Sequence, residues 1–210
     1  MKSFGMAPKK WRTETFPRRR VNGRKGRFRL PNSGNVSLCG WHHEFPGMMH
    51  FIKESRIAAP RSVVFAFHER PGVIAELSPP WDSVRILEGA DSIRPGSRVT
   101  LGVRVGPIFV RWVAEHTEYL PNSLFVDRQL RGPFASWTHR HLFLDDEAGG
   151  TILRDEIAYE PPLGRLGQAL GGRWIEAKLT RTFNFRHEIT RRLVEAQAVS
   201  SYGFHESMKN

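Results

Sequence analysis

The sequence predicts an α+β domain built from seven antiparallel strands, two short helices after the first strand, and one long amphipathic C-terminal helix. Three observations predict it. Between Asp82 and Tyr159, apolar runs of strand length are broken at short intervals by Pro, Gly and Asn. The links between them are short, which favours antiparallel meander connections. After Pro161-Pro162 the apolar residues change to helical spacing.

Order begins at the alternating stretch His50–Ala58, which the Ala59-Pro60 turn signal ends. Pro60-Arg61-Ser62 then opens a short helix over Val63–Arg70, closed by Pro71-Gly72. A second short helix over Val73–Leu77 stops at Ser78-Pro79-Pro80. Six strands follow: Asp82–Leu87, Arg98–Val105, Ile108–Tyr119, Ser123–Leu130, Ser136–Leu144 and Thr151–Tyr159. Their breaks are Arg94-Pro95-Gly96, Gly106-Pro107, Leu120-Pro121-Asn122, Gly132-Pro133 and Gly149-Gly150. In the last element Trp174, Ile175, Leu179, Phe183, Ile189 and Leu193 recur at helical spacing, and Gly171-Gly172 is expected at its start or at a kink. Trp174 and Phe183 are expected in the core, and His187 on the surface or in a helix pair.

The chain's organisation is thus a basic extension at residues 1–48, a domain over residues 49–198 and a flexible tail at residues 199–210. The net charge of +11 sits almost entirely in the first part. Residues 1–50 hold eleven Lys or Arg against Glu14 and Glu44, leaving the domain near neutrality. Arg18-Arg19-Arg20 and Arg24-Lys25 have the charge to engage nucleic acid or an anionic membrane surface, and an Arg-rich, acid-poor start is also a transit-peptide trait. The plainer expectation is a solvated, disordered extension. Met48-Met49, directly before the first strand, offers an alternative start. A single cysteine, Cys39, rules out an internal disulfide framework and any multi-cysteine zinc site, and suits a reducing compartment. With no apolar run of membrane-spanning length and no secretory pattern, a cytoplasmic protein is expected.

Strand parity selects the candidate site, because residues two apart share a face. One parity collects Val110, Trp112, Ala114 and His116; Phe125, Asp127 and Gln129; Trp137, His139, His141 and Phe143; Leu153, Asp155, Ile157 and Tyr159. The other collects Arg111, Glu115, Arg128, Arg140, Arg154 and Glu156, charges of both signs that belong in water and pair across strands. The first face is therefore the helix-facing one. An apolar wall with a few orienting polar groups is the make-up of a small-molecule cavity. Trp112, Phe125, Trp137, Phe143 and Tyr159 are expected to supply the wall. Asp127, Gln129, His139, His141 and Asp155 would fix the ligand's orientation, or form a self-satisfied internal network. Trp81, after Pro79-Pro80, is placed at the mouth.

A histidine oriented by Asp127 or Asp155 has the parts for general acid–base chemistry, with His139 and His141 as candidates. Two His and one carboxylate also have the composition of a zinc or iron site. Nucleophilic catalysis finds no support, since Gly-x-Ser-x-Gly is absent. The glycines of Gly164-Arg165-Leu166-Gly167 lack the context of a phosphate loop and are expected to start the helix or let it approach the sheet.

Several segments resemble the SRPBCC superfamily, which includes START lipid-transfer domains, aromatic polyketide cyclases and birch-pollen-allergen relatives. They are Phe51–Phe65, Leu77-Ser78-Pro79-Pro80, Ile93-Arg94-Pro95-Gly96-Ser97, Phe125-Val126-Asp127-Arg128-Gln129, Gly132-Pro133-Phe134, Trp137–Phe143 and Asp155–Pro161. They particularly resemble its bacterial ligand-binding branch. The resemblance implies the helix-grip fold, a curved seven-stranded sheet around the long C-terminal helix with a cavity between them. It implies an apolar small-molecule ligand (lipid, isoprenoid or polyketide-like), with a cyclase or dehydratase as the alternative. It implies no cofactor, no metal and no transferable catalytic motif.

Overall fold

The structure, a computed structural model, describes residues 48–89 and 91–207, with side chains described up to residue 197. The basic extension up to residue 47, with Cys39, lies outside the described residues. Strand β1 (Met49–Ile57) is followed by helices α1 (Arg61–Glu69) and α2 (Val73–Glu76). Six strands come next: β2 (Arg85–Gly89), β3 (Arg98–Val105), β4 (Ile108–Leu120), β5 (Leu124–Arg131), β6 (Ser136–Asp145) and β7 (Thr151–Glu160). Helix α3 (Gly164–Ser207) closes the order. It begins seven residues before the Gly171-Gly172 pair and runs past residue 198, where the domain was expected to give way to a tail.

All seven strands form one antiparallel sheet in the order β1-β7-β6-β5-β4-β3-β2. The two edges are β1 and β2, and α1 and α2 carry the chain between them. Helix α3 packs against β1 and β7, and α1 packs against β6 and α3. The expected parity holds across the central strands. On β7 every second residue from Thr151 to Tyr159 is buried. On the opposite face charges pair between neighbouring strands: Arg140 with Glu156 at 2.8 Å, Arg154 with Glu54 at 3.0 Å, and Arg98 with Glu115 at 2.6 Å. Beside them the same face buries a small apolar group, Leu124, Val126 and Leu142.

Two bulges interrupt the β4–β5 ladder, where Leu130 and Thr117 lack register partners. The second turns the end of β4 by one residue, so that Tyr119 rather than Glu118 faces Phe125 and α1. There the Tyr119 hydroxyl donates to Glu69 at 2.6 Å, and the Arg94 guanidinium lies over its ring.

The core on the helix side has two main parts. Ile57, Phe65, Phe67, Phe125, Phe143, Leu153 and Val194 pack under α1. Trp137, Ile157, Tyr159, Leu179 and Phe183 pack under the middle of α3. Phe183 is 2% exposed as expected, whereas Trp174, expected beside it in the core, is 58% exposed. The rotation of α3 puts Ile175 and Leu179 towards the sheet and leaves Trp174 at the rim.

Two glycines of α3 separate by environment. A Cβ on Gly171 would meet open space, while one on Gly167 would run into the Pro162 carbonyl oxygen. Gly171→Ala is therefore expected to stabilise by about 0.5–1 kcal/mol, the usual cost of glycine inside a helix. Gly167→Ala is expected to destabilise by about 1–3 kcal/mol through backbone displacement. Urea melts of the two variants check this, and shifts of the same sign would contradict it.

Candidate functional site

Between the sheet and α3 lies a cavity of about 330 Å³, within the range of about 300–1,000 Å³ usual for small-molecule sites. Its wall is apolar. Val99, Leu101 and Val103 come from β3, Ile74 and Leu77 from α2 and its end, and Ile175, Leu179 and Phe183 from α3. Its floor is polar and rests on the sheet's centre: His116 from β4, Asp127 from β5, and His139 and His141 from β6, joined by His68 of α1 and Arg186 of α3. Alternation along β6 aims Trp137, His139 and His141 to one side. Antiparallel register sets Asp127 opposite His139, and Phe125 opposite His141. The Phe125 and His141 rings stack at 3.9 Å, and Phe183 closes edge-on over His139 at 5.2 Å.

Beneath the floor Asp155 holds three imidazoles. Its Oδ1 accepts from His139 Nε2 at 2.9 Å and lies 2.8 Å from His141 Nδ1. Its Oδ2 accepts from His187 Nε2 at 2.6 Å. Asp127 Oδ2 lies 3.4 Å from His139 Nδ1 and 3.3 Å from His141 Nε2. Two imidazoles are thus enclosed between two carboxylates. Electrostatics divide the group. Burial holds His68 down to about 4, with its Nδ1 bonded to the Val64 carbonyl, and burial also lowers His116 and His139. Burial opposes the charged form of His141 too, but the Asp155 and Asp127 carboxylates outweigh it and raise its pKa. Both carboxyls stay below the ordinary range despite their burial. His141 charge and imidazole hydrogen bonds outweigh desolvation at Asp155, and the His141 hydrogen bond with neighbouring imidazole charge does so at Asp127.

Of the ten residues expected to form the wall or orient the ligand, Trp112, Phe125, Asp127, Trp137, His139 and His141 line the cavity. The other four face the same side but are covered. Gln129 turns to the β5–β6 loop, where its Nε2 donates to the Phe134 carbonyl at 2.8 Å; the missing side chain of Gly132 makes the room. Phe143 lies one pleat further along β6 under α1, against Phe65 at 4.9 Å. Tyr159 is covered by Phe134 and Trp137. Asp155 acts only through its imidazoles. Trp81 packs edge-on against Phe185 and carries the Arg181 guanidinium on its face, while its neighbour Asp82 reaches the cavity.

Sequence reasoning missed three residues. His187 is not on the surface: it is 2% exposed, because α3 presents that side to Asp155. Arg186 lines the cavity one position earlier. His68 continues the Val64-Phe65 face of α1 by one turn, and that i, i+4 relation is the signal that could have found it. Among the described residues, one group has metal-ligating composition, Asp127 with His139 and His141.

The family described as polyketide cyclase / dehydrase and lipid transport matches residues 57–184. The chain belongs to this family. Its helix-grip fold recurs in solved structures. An aromatase/cyclase, Zhui from Streptomyces sp. R1128, is 20% identical with a TM-score of 0.58, over 72% of this chain and 96% of that one. Norcoclaurine synthase from Thalictrum flavum is 10% identical with a TM-score of 0.56, over 72% and 96%. A nucleoside-diphosphate sugar epimerase from Corynebacterium glutamicum is 24% identical with a TM-score of 0.57, over 72% of this chain. The chain spans only 30% of that epimerase. At these identities the likeness concerns the fold alone. No curated protein matches the chain. Among the described residues no helix is long and apolar enough to cross a membrane.

Proposed function

We propose that the protein binds an apolar small molecule, lipid, isoprenoid or polyketide-like, that carries one oxygen-bearing end. The observation behind this is the division of the cavity into an apolar wall and a floor of imidazoles, Asp127 and Arg186. Arg186 Nε is buried without a hydrogen-bond partner among the described residues, so an acceptor on a ligand offsets a desolvation cost of about 1–3 kcal/mol. Trp112, Phe125 and Trp137 hold the apolar body, and the floor orients the oxygen. Membership of a family described by both cyclisation and lipid transport supports ligand binding in general.

Anilinonaphthalene sulfonate, an apolar body with an anionic oxygen end, is the first probe. It is expected to bind at one saturable site with a fluorescence rise. Ala114→Trp, which fills the cavity from β4, is expected to weaken it by tenfold or more. Saturable binding unaffected by that variant would overturn the reading. Native mass spectrometry of gently purified protein, followed by organic extraction, would then identify the resident molecule.

A second reading is favoured by the enclosure of His139 and His141 between two carboxylates. In a cyclase or dehydratase, one of these imidazoles moves a proton at the oxygen-bearing end of the ligand. Loss of turnover of the extracted molecule in His139→Ala and Asp127→Asn, with affinity retained, would decide for it.

A further inference from the structure

The atoms where β5 meets β6 are arranged for more than proton exchange. A neutral imidazole has one N–H and one lone pair. His139 Nε2 gives its N–H to Asp155 Oδ1 at 2.9 Å, which leaves Nδ1 as a lone pair 3.4 Å from Asp127 Oδ2. His141 has carboxylate oxygens at both nitrogens, 2.8 Å from Asp155 and 3.3 Å from Asp127. When His141 is neutral, it too opposes a lone pair to an oxyanion. One positive charge between the three atoms relieves all of them.

We propose that Asp127 Oδ2, His139 Nδ1 and His141 Nε2 bind a divalent cation of the zinc class. Each of the three residues offers a ligand atom within 4.8 Å of those of the other two. Two atoms 3.3–3.4 Å apart, each bonded at about 2.1 Å, subtend roughly 105° at the ion, close to a tetrahedral angle. An octahedral magnesium ion at the same bond length asks for neighbouring ligands about 3.0 Å apart, and for oxygen donors in place of imidazoles. Donor chemistry agrees: two imidazoles with one carboxylate suit zinc and its neighbours in the first transition row.

The surroundings match a metal centre as well. Ligating imidazoles usually give their second nitrogen to a carboxylate, which sets ring orientation and basicity. Asp155 does this for both rings at once and is itself fixed by His187 at 2.6 Å. Stacking on Phe125 and the edge contact with Phe183 hold the two imidazoles in place without occupying a nitrogen. Because Asp127, His139 and His141 all line the cavity, a fourth coordination position opens towards it. A water or the oxygen of a bound ligand fills that position. The site therefore reaches beyond the binding role proposed above and stands without it, since it requires only the metal.

The test uses the full chain, stripped with a chelator and titrated with cobalt(II). One equivalent is expected to produce the intense visible absorption of tetrahedral cobalt, and one equivalent of zinc is expected to remove it. Asp127→Asn and His141→Gln, checked for an unchanged thermal transition, are expected to lower cobalt affinity roughly 100-fold or more. The Asp127 variant keeps the shape of a partly exposed side chain, so it reports on the site even if the His141 variant folds poorly. A folded wild-type protein that gives no cobalt spectrum at millimolar metal would overturn the proposal. A spectrum that persists in Asp127→Asn would overturn it equally, by placing the ion on other histidines of the chain. Anilinonaphthalene sulfonate binding, measured on the stripped protein, reports separately on the cavity.

Discussion

Asp155→Ala is expected to cost about 3–5 kcal/mol of stability, the largest effect of any single substitution in the floor. The Asp155 side chain is only 5% exposed and is the acceptor for His139 and His187, with His141 at 2.8 Å. Its removal leaves the buried His139 Nε2 and His187 Nε2 without their acceptor, leaves His141 with Asp127 alone, and takes from the Arg186 guanidinium one of the charges that offset its burial. It also unties α3 from the sheet at His187, because the hydrogen bond there joins β7 to the helix. Urea denaturation should show a lower midpoint with an unchanged slope. Asp155→Asn, which keeps the shape and one acceptor oxygen, is expected to fall between the two. An alanine variant as stable as the parent would mean that packing alone holds the imidazoles.

Acidification supplies the second large effect. His68 is held down to about 4 by burial, against 6.5 in the unfolded chain. Between those values the unfolded state binds the extra proton, so stability falls as the pH drops through 6.5 and levels off below about 4. The full loss is roughly 3 kcal/mol, and about 2 kcal/mol of it is reached by pH 5. His116 and His139 are lowered as well and add to the same fall. His141 works in the opposite sense: its raised pKa contributes stability that is complete in acid and lost as the pH rises through the folded value. Asp127 and Asp155, both lowered, contribute stability that disappears only at still lower pH, as their carboxyls take up protons. Stability profiles of the parent and of His68→Leu check the assignment. The variant should gain on the parent as the pH falls from 7.5 to 5, and parallel profiles would refute it.

The strands were legible in the sequence because each break carries Pro, Gly or Asn where the chain turns. Strand parity is regular along β4 up to His116 because the Thr117 bulge falls just beyond it. Asp127, His139 and His141 were legible because alternation alone puts them on one face, and the register then brings them together. Cover was not legible. Gln129, Phe143 and Tyr159 share that face, yet a loop, α1 and neighbouring rings close over them, and those contacts form between distant parts of the chain. The contribution of α3 was misjudged for a related reason. Its apolar residues spread widely around the helix, so spacing did not reveal which side holds His187 and Arg186 and which leaves Trp174 at the rim.

The cavity takes its aliphatic wall and its polar floor from different parts of the chain, while the aromatic Trp112, Phe125 and Trp137 share β4, β5 and β6 with the floor. Val99, Leu101 and Val103 lie on β3, next to the β2 edge of the sheet, and Ile74 and Ile175 lie on helices, whereas His116, Asp127, His139 and His141 lie on the central strands β4, β5 and β6. The aliphatic part of the ligand's space and the ligand's chemistry are therefore written in separable stretches of sequence. The wall can be recut by exchanging one aliphatic side chain for another, at a cost usually under about 1.5 kcal/mol when volume is kept. The floor cannot drift in this way, because its imidazoles share Asp155 with the joint between sheet and helix. Such a scaffold lets evolution, or an engineer, change the size of the guest while the atom it presents to the floor stays the same.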